Sequence, residues 1–451
     1  MPRPFTVISA GALALAALLG AAPAPTRIET AARSVLQSGA ASAVSIAIVT
    51  DGRLRSVKTF GKADPDTAFS IGSVSKMFTA VSVMQLVQRG LVSLDAPAGK
   101  YLPQYSALEN VTVRELLDHT GGLPNILDDA VASGDIQKPT TPGAMLSKAL
   151  ASPLDFKPGT DWNYSNTGYV ALGQIVERVS GMPLAQYEQR NIFAPVGMHH
   201  TYVAPALGKD VATAFKGAPG DWSWYYAAGD VFATATDLAL FDIAFMHGRL
   251  VSSGMFEQMV KTAPFPTLAP GMRDGLGVFV TQMGNVQLIG HHGGEPGFRA
   301  DNEMIPTRGF AAVVLGSGNY DTQPLLAASI ETYVPGAKPT AETHAPLTDT
   351  APAVSQRLAA FMRELQQGRV DTAQLEVLAR ISFPPGGAIA EHLAPYGALR
   401  DVQFQSKLYT SLGKMYVYRA DFAKGAIYVR FVIDRDDKFA MFMMQPVKQG
   451  E

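Results

Sequence analysis

The 451-residue chain has no cysteine. That absence removes disulfides, a thiolate nucleophile, lipid attachment at a cysteine and any Cys-ligated metal site. Charge is also sparse: Asp, Glu, Lys and Arg make up 17% of the residues, the formal net charge is −2, and no basic run stands out. A nucleic-acid-binding surface or a polybasic membrane patch therefore has no electrostatic basis, and the expected partner is a small molecule rather than nucleic acid. Gly-x-Ser-x-Gly, His-Glu-x-x-His and a P-loop are all missing, so the commonest hydrolase elbow, zinc-protease helix and nucleotide loop are excluded. One long apolar run, from Phe5 to Leu19, follows Arg3 and precedes small residues. This layout reads as a signal peptide over residues 1–24, implying a secreted or periplasmic protein with no stable membrane insertion after cleavage. Nothing in the pattern speaks to oligomeric state.

What is present is a globular composition, 47% hydrophobic, in a chain long enough for more than one core. "RIETAARSVLQSG" has helical spacing, and "AVSIAIVTDGRLRSVKTFGKA" reads as a hairpin turning at Asp51-Gly52. From about residue 73 to 260 the periodicity is mainly helical, with loops rich in Gly, Pro and Asn between the helices. Strand patterns return in "GLGVFVTQM", "NVQLIGHHGG" and "FAAVVLGSG", and "QPLLAASIETYV" reads as a closing helix. The expected class is α+β, an antiparallel sheet built from both ends of residues 25–335 with a mainly helical region inserted. Residues 336–353, rich in Pro, Thr and Ala, read as a linker. Residues 354–451 read as a small α+β accessory domain, a helix followed by alternating strands.

The segment "AFSIGSVSKMFTAVSVM" places Ser73 three residues before Lys76 at the start of an apolar helix. Residues i and i+3 share a helix face, so the amine can fold back to the hydroxyl, and a lysine held dry has its pKa lowered. The plainer alternative is a Ser N-cap beside a snorkelling Lys. Spacing alone does not choose, because Ser411-Leu-Gly-Lys414 repeats it in what reads as a hairpin turn. Two later segments do: Tyr164-Ser165-Asn166 is the one Tyr-x-Asn in the chain, and His291-His292-Gly293-Gly294 ends a strand pattern.

With these three motifs in order, and with "LLDHTGGLP", "IFAPVGM" and "AAGDVFATATDLALF" between them, the sequence resembles the serine β-lactamase and penicillin-recognising superfamily, in its class C β-lactamase, D-Ala-D-Ala carboxypeptidase and esterase branch. The resemblance covers about residues 25 to 335 and implies a β-lactamase/transpeptidase-like fold acting through an acyl-enzyme without cofactor or metal. It implies Ser73 as nucleophile, Lys76 as its activator or proton relay, and Tyr164 as general base and acid. It also implies that Asn166 orients the substrate and that the Ser73 and Gly294 N–H groups form an oxyanion hole. For a phenol to serve as base, neighbouring cations must lower its pKa, and Lys76 and a protonated His291 are the expected cations.

Both His291-x-Gly293 and His292-x-Gly294 fit the motif, and since neighbouring strand residues face opposite ways only one histidine can face the cleft; the family resemblance of "GGEPGF" implies that it is His291. Class C β-lactamases carry Lys-Thr-Gly there, so histidine points to the esterase and D-amino-acid peptidase members. The expected reaction is hydrolysis of an ester, amide or peptide, with an esterase or broad acyl hydrolase ahead of a carboxypeptidase or D-aminopeptidase and of a weak β-lactamase. A non-catalytic scaffold on the same fold is the rival class. His119 is expected to be structural, Asp230 to stand where the family commonly has Gly, and Trp222, Trp224, Tyr225 and Tyr226 either to wall an acyl pocket or to join the core.

Overall fold

The computed structural model describes residues 26–204, 220–265, 267, 271–283, 285–334, 336–337, 349, 351–410, 412–434 and 436–447. The expected signal peptide, most of the expected linker and Ser411 lie outside them. The chain begins with helix α1 (Arg27–Gln37), whose start is closed by a Thr26/Glu29 capping box. Strands β1 (Ala41–Thr50) and β2 (Arg53–Gly61) follow as a hairpin, with Asp51 and Gly52 both at positive φ as a tight reversal requires. A short strand β3 (Phe69–Ser70) leads into helix α2 (Ser75–Gln88). Helix α3 (Asn166–Ser180) lies in the helical region; of strands β4 (Tyr202–Val203) and β5 (Val231–Ala233), β5 pairs with β3 on one side and with β4 on the other. Helix α4 (Ala235–Met246) then precedes β6 (Met272–Asp274), β7 (Phe279–Met283), β8 (Val286–Glu295), β9 (Phe298–Ile305), β10 (Phe310–Gly318) and helix α5 (Gln323–Tyr333).

Among the described residues the main sheet has seven antiparallel strands in the order β2-β1-β10-β9-β8-β7-β6. Period-2 alternation divides its central strands between two apolar layers. Val44, Ile46 and Ile48 of β1, with Ala312 and Val314 of β10, pack towards α1 and α5. Ala43, Ala47 and Val49, with Ala311, Val313 and Leu315, face the helical core that contains α2, α3 and α4. Helix α2 is apolar nearly all round and accordingly buried nearly all round. It is the central post of that core, with the Phe78 ring 4.7 Å from Phe241 and 5.1 Å from Phe193.

The C-terminal region has its own apolar core. Helix α6 (Pro352–Gln366) begins two residues ahead of the expected boundary at 354, because Pro at its first turn starts the helix without needing an N–H partner. It packs on a four-stranded antiparallel sheet, β11 (Leu399–Thr410), β12 (Gly413–Phe422), β13 (Gly425–Ile433) and β14 (Phe439–Pro446). Thr410 of β11 pairs with Gly413 of β12, and Lys414 of the second Ser-x-x-Lys match lies on β12. No helix among the described residues is long and apolar enough to cross a membrane.

Phe78 has no solvent exposure and two edge-on aromatic partners. Phe78→Ala is expected to destabilise the protein by about 3–5 kcal/mol, through lost transfer energy and an unfilled cavity. Urea denaturation checks this, and a loss below about 1 kcal/mol would show that α2 is not the post described.

Candidate active site

Ser73 sits in a single 3-10 turn, Gly72–Val74, immediately before α2. The turn is fixed from both sides: Ser75 Oγ donates to Gly72 O at 2.7 Å, and Ile71 N–H donates to Val231 O at 3.1 Å. Gly72 has φ +49, and a Cβ there would lie 2.9 Å from Gly294 N. On the facing strand, a Cβ on Gly293 would lie 1.9 Å from Ile71 O and 3.3 Å from Ser73 N. The missing side chains let β8 press against the serine turn, which places the Ser73 and Gly294 N–H groups beside one another.

Lys76, one turn into the helix, is fully buried, and its Nζ meets three oxygens: the carbonyl acceptors Asn166 Oδ1 and Ala228 O, each at 2.7 Å, and the Ser73 hydroxyl at 3.1 Å. Burial lowers its pKa to about 7, against the opposing charges of Glu295, Asp230 and Asp274. Asn166 opens α3, and its amide N–H and Nδ2 both donate to Asn125 Oδ1, at 3.2 and 3.0 Å.

Tyr164 is half-buried, with its ring face 4.8 Å from Lys76 Nζ. Burial raises its pKa above the ordinary phenol value, and the neighbouring Ser73 hydroxyl offsets only part of that rise. The expectation that cations would draw Tyr164 down is therefore corrected: desolvation, with Asp274 and Glu295, raises it, and at neutral pH the residue is a protonated phenol. A second correction concerns His291. It lies on the Tyr164 side of β8, with ring centroids 6.3 Å apart, but burial and the Lys76 charge push its pKa well below the ordinary value. His291 is neutral and supplies no cation.

The charged member of the pair is His292, on the opposite face of β8. It pairs with Asp301, its cross-strand neighbour, and approaches Glu303 to 3.7 Å. Desolvation acts against its charge, but the Asp301 hydrogen bond and the two carboxylates prevail and raise it to about 9.

His119 holds the tyrosine loop. Its backbone is at φ +59, its carbonyl accepts from Asn163 N–H at 3.1 Å, and its Nδ1 accepts from Ser165 N–H at 3.2 Å. That second bond requires neutral imidazole, in agreement with the fall in pKa that burial causes. Its ring centroid is 4.4 Å from that of Tyr164. Asp230 is buried and accepts from Ala227 N–H at 3.2 Å, with desolvation raising its pKa to about 7. It braces the 227–230 segment whose carbonyl, at Ala228, receives Lys76. Trp224 and Tyr225 belong to the core, while Tyr225 also borders Glu295 at the cleft.

The structure thus brings together Ser73, Lys76, Tyr164, Asn166, His291, Gly293 and Gly294. Sequence reasoning missed Asn125, the Ala228 carbonyl and Glu295. Asn125 and Glu295 lie in or beside segments that carry the motifs, but no spacing indicates that an amide 41 residues away would hold Asn166. Glu295 is half-buried, and burial raises its pKa to about 8. Among the described residues no group of His, Asp and Glu could hold a metal.

A model of the Beta-lactamase family matches residues 28–334. The chain belongs to the Beta-lactamase family. A relative from Bacillus subtilis that carries a penicillin-binding-protein name, PbpX, is 30% identical over 275 residues, 57% of this chain and 66% of PbpX. The match thus spans just under two thirds of that relative's length. Among solved structures, a D-stereospecific amidohydrolase from Streptomyces is similar at TM-score 0.61 and 26% identity, covering 67% of this chain and 97% of its own. An octameric penicillin-binding protein homologue from Pyrococcus abyssi covers 94% of this chain and 96% of its own at TM-score 0.61. Its 21% identity makes this a likeness of fold alone, one that extends over the C-terminal sheet.

Two outcomes follow from the geometry. Between about 7, the folded pKa of Lys76, and its ordinary 10.5, the unfolded chain binds a proton that the folded one does not, so stability rises with pH across that window. The stability difference between wild type and Lys76→Met should move in favour of wild type from pH 7 to 10 in urea titrations; a flat difference would show that Lys76 keeps its proton in the fold. Gly293→Ala should push β8 off the serine turn, and loss of Ser73 reactivity towards a fluorophosphonate in a folded variant is the expected readout. Undiminished reactivity would mean that the close approach is dispensable.

Proposed function

We propose that this member of the family is a serine hydrolase that cleaves an ester or amide through a covalent acyl-Ser73 intermediate. The observation that carries the reading is the 3.1 Å contact between Ser73 Oγ and the fully buried Lys76 Nζ, an amine whose pKa burial lowers to about 7. A neutral amine has two N–H bonds, and these match the two 2.7 Å acceptors, Asn166 Oδ1 and Ala228 O. Its lone pair is then left for the Ser73 hydroxyl at 3.1 Å.

In this reading Lys76 takes the Ser73 proton as Oγ bonds to the carbonyl carbon. The oxyanion is received by the Ser73 and Gly294 N–H groups. Tyr164, a phenol, donates its proton to the leaving oxygen or nitrogen as the old bond breaks, and is reprotonated from Lys76. Water then attacks the acyl carbon, gives up a proton through the same pair, and the acid leaves with Ser73 restored. The N-terminal segment supports a secreted or periplasmic setting for this chemistry.

An uncharged ester or broad acyl substrate fits best, because neutral His291 stands where Lys-Thr-Gly enzymes hold a substrate carboxylate, and Glu295, raised to about 8 by burial, offers no cation to hold one. The second reading is hydrolysis of a D-amino-acid amide. It is favoured by the likeness to the D-stereospecific amidohydrolase and by Glu295, whose ionised form an incoming α-ammonium would stabilise. A β-lactam or D-Ala-D-Ala peptide, each with a carboxylate, ranks below both.

Intact mass after exposure to a fluorophosphonate, together with rates on p-nitrophenyl acetate, D-alanine p-nitroanilide and nitrocefin, tests the scheme. Wild type should gain one label and Ser73→Ala none; a label kept by Ser73→Ala would sink the nucleophile assignment. Ester turnover should exceed nitrocefin turnover, and kcat/KM should rise with pH through about 7 as Lys76 loses its proton. Lys76→Arg, whose guanidinium stays charged, should lower kcat by about 10²–10⁴. An unlabelled, inactive wild type would favour the scaffold alternative.

A further inference from the structure

The segment Asp161-Trp162-Asn163-Tyr164 connects two parts of the molecule. Its even-numbered residues serve the catalytic region: Trp162 Nε1 donates to buried Asp274 at 2.7 Å, and Tyr164 reaches Ser73 and Lys76. Its odd-numbered residues are held by the C-terminal sheet. Asp161 Oδ2 receives Lys407 Nζ at 2.5 Å and the Tyr409 hydroxyl at 2.9 Å. The Lys407 and Asp161 side chains are only 14% and 13% exposed, so this ion pair is not the screened surface kind. Asn163 Oδ1 accepts from Tyr409 N–H at 3.1 Å, and its Nδ2 points back to Tyr409 O at 3.5 Å and to Asp155 at 3.2 Å.

Strand β11 is the edge of the C-terminal sheet, and the outward-facing N–H and C=O of an edge strand need a partner. A side-chain amide supplies both groups of a peptide unit, so Asn163 caps that edge as one residue of a further strand would. Lys407 and Tyr409, two apart on β11, point the same way and close on the same carboxylate.

We infer that the C-terminal sheet is a positioning element for the reaction: through Lys407 and Tyr409 it grips Asp161 and Asn163 and thereby holds Tyr164 against Ser73 and Lys76. The inference rests on the role proposed above for Tyr164. Asp161, Asn163, Lys407 and Tyr409 touch no reacting atom and act through the tyrosine. A segment with alternate residues anchored on the catalytic region and on the C-terminal sheet resists sliding and rotation, so the phenol is held from behind as well as through the His119 loop. This gives the C-terminal region work in the chemistry without contributing a group to the cleft.

The test uses the full chain carrying Lys407→Met, Lys407→Arg and Tyr409→Phe, the last removing one hydroxyl from the grip. Hydrogen exchange is read on residues 161–166, with β1 and β10 as internal references, and the rate of Ser73 labelling by a fluorophosphonate is read beside it. Lys407→Met should speed exchange in 161–166 about tenfold or more while leaving the central strands unchanged. It should slow labelling about ten- to a hundredfold, as small misplacements of catalytic groups do. Tyr409→Phe should give a smaller effect of the same kind, and Lys407→Arg should recover most of the rate. In a Tyr164→Phe background, Lys407→Met should cost almost nothing further, since the grip acts through that ring.

Unchanged exchange in 161–166 would overturn the grip itself, whatever the substrate proves to be. Faster exchange with full labelling, or a Lys407→Met penalty that persists without the Tyr164 hydroxyl, would overturn its link to the tyrosine. A wild-type protein whose Ser73 never labels would overturn the function proposed above, while the exchange data would still decide the grip.

Discussion

A lysine amine without access to water must either lose its proton or be surrounded by acceptors, and Lys76 draws the molecule together because it requires both. Its partners come from the adjoining serine turn and from two distant stretches, the start of α3 and the 227–230 segment. None can shift without leaving a buried polar group unpaired. The dryness that lowers the lysine to about 7 comes from the same apolar layer that fastens α2 between α3, α4 and the sheet. Reactivity and packing are therefore one arrangement here: the core that stabilises the fold is also what prevents Lys76 from remaining an ordinary ammonium. The protein gives up some stability for this, since a methylene chain ending in an amine is a poorer core residue than an apolar one of equal length.

Strand β8 shows how far a face of a sheet decides chemistry. His291 and His292 are adjacent and chemically identical, yet one is buried neutral beside Tyr164 and the other is held charged by Asp301 and Glu303. Two residues further on the same strand has no side chains at all, so its backbone can approach the serine turn closely. The cleft thus presents a neutral imidazole, a protonated phenol and a half-buried glutamic acid, and the proposed preference for an uncharged acyl group rests on that.

Much of this was legible along the chain. Ser73, Lys76, Tyr164, Asn166, His291, Gly293 and Gly294 could be picked out because their motifs are short and occur in order. The hairpin at Asp51-Gly52, the helical insert and the C-terminal strands followed from periodicity and turn chemistry. The partners of those residues were not legible. Asn125 below Asn166, the Ala228 carbonyl on Lys76, and Lys407 on Asp161 are contacts across 41, 152 and 246 positions.

The sequence by itself determined the element types and the order of the Ser-x-x-Lys, Tyr-x-Asn and His-x-Gly motifs, because those depend on neighbours a few positions apart. Only the tertiary structure decided which groups carry protons. The pKa values of Lys76, Tyr164 and His291 depend on desolvation, and desolvation comes from side chains hundreds of positions away. The same is true of the hold on Tyr164: an aspartate and an asparagine in a loop look like ordinary turn residues until the edge of a second sheet closes on them.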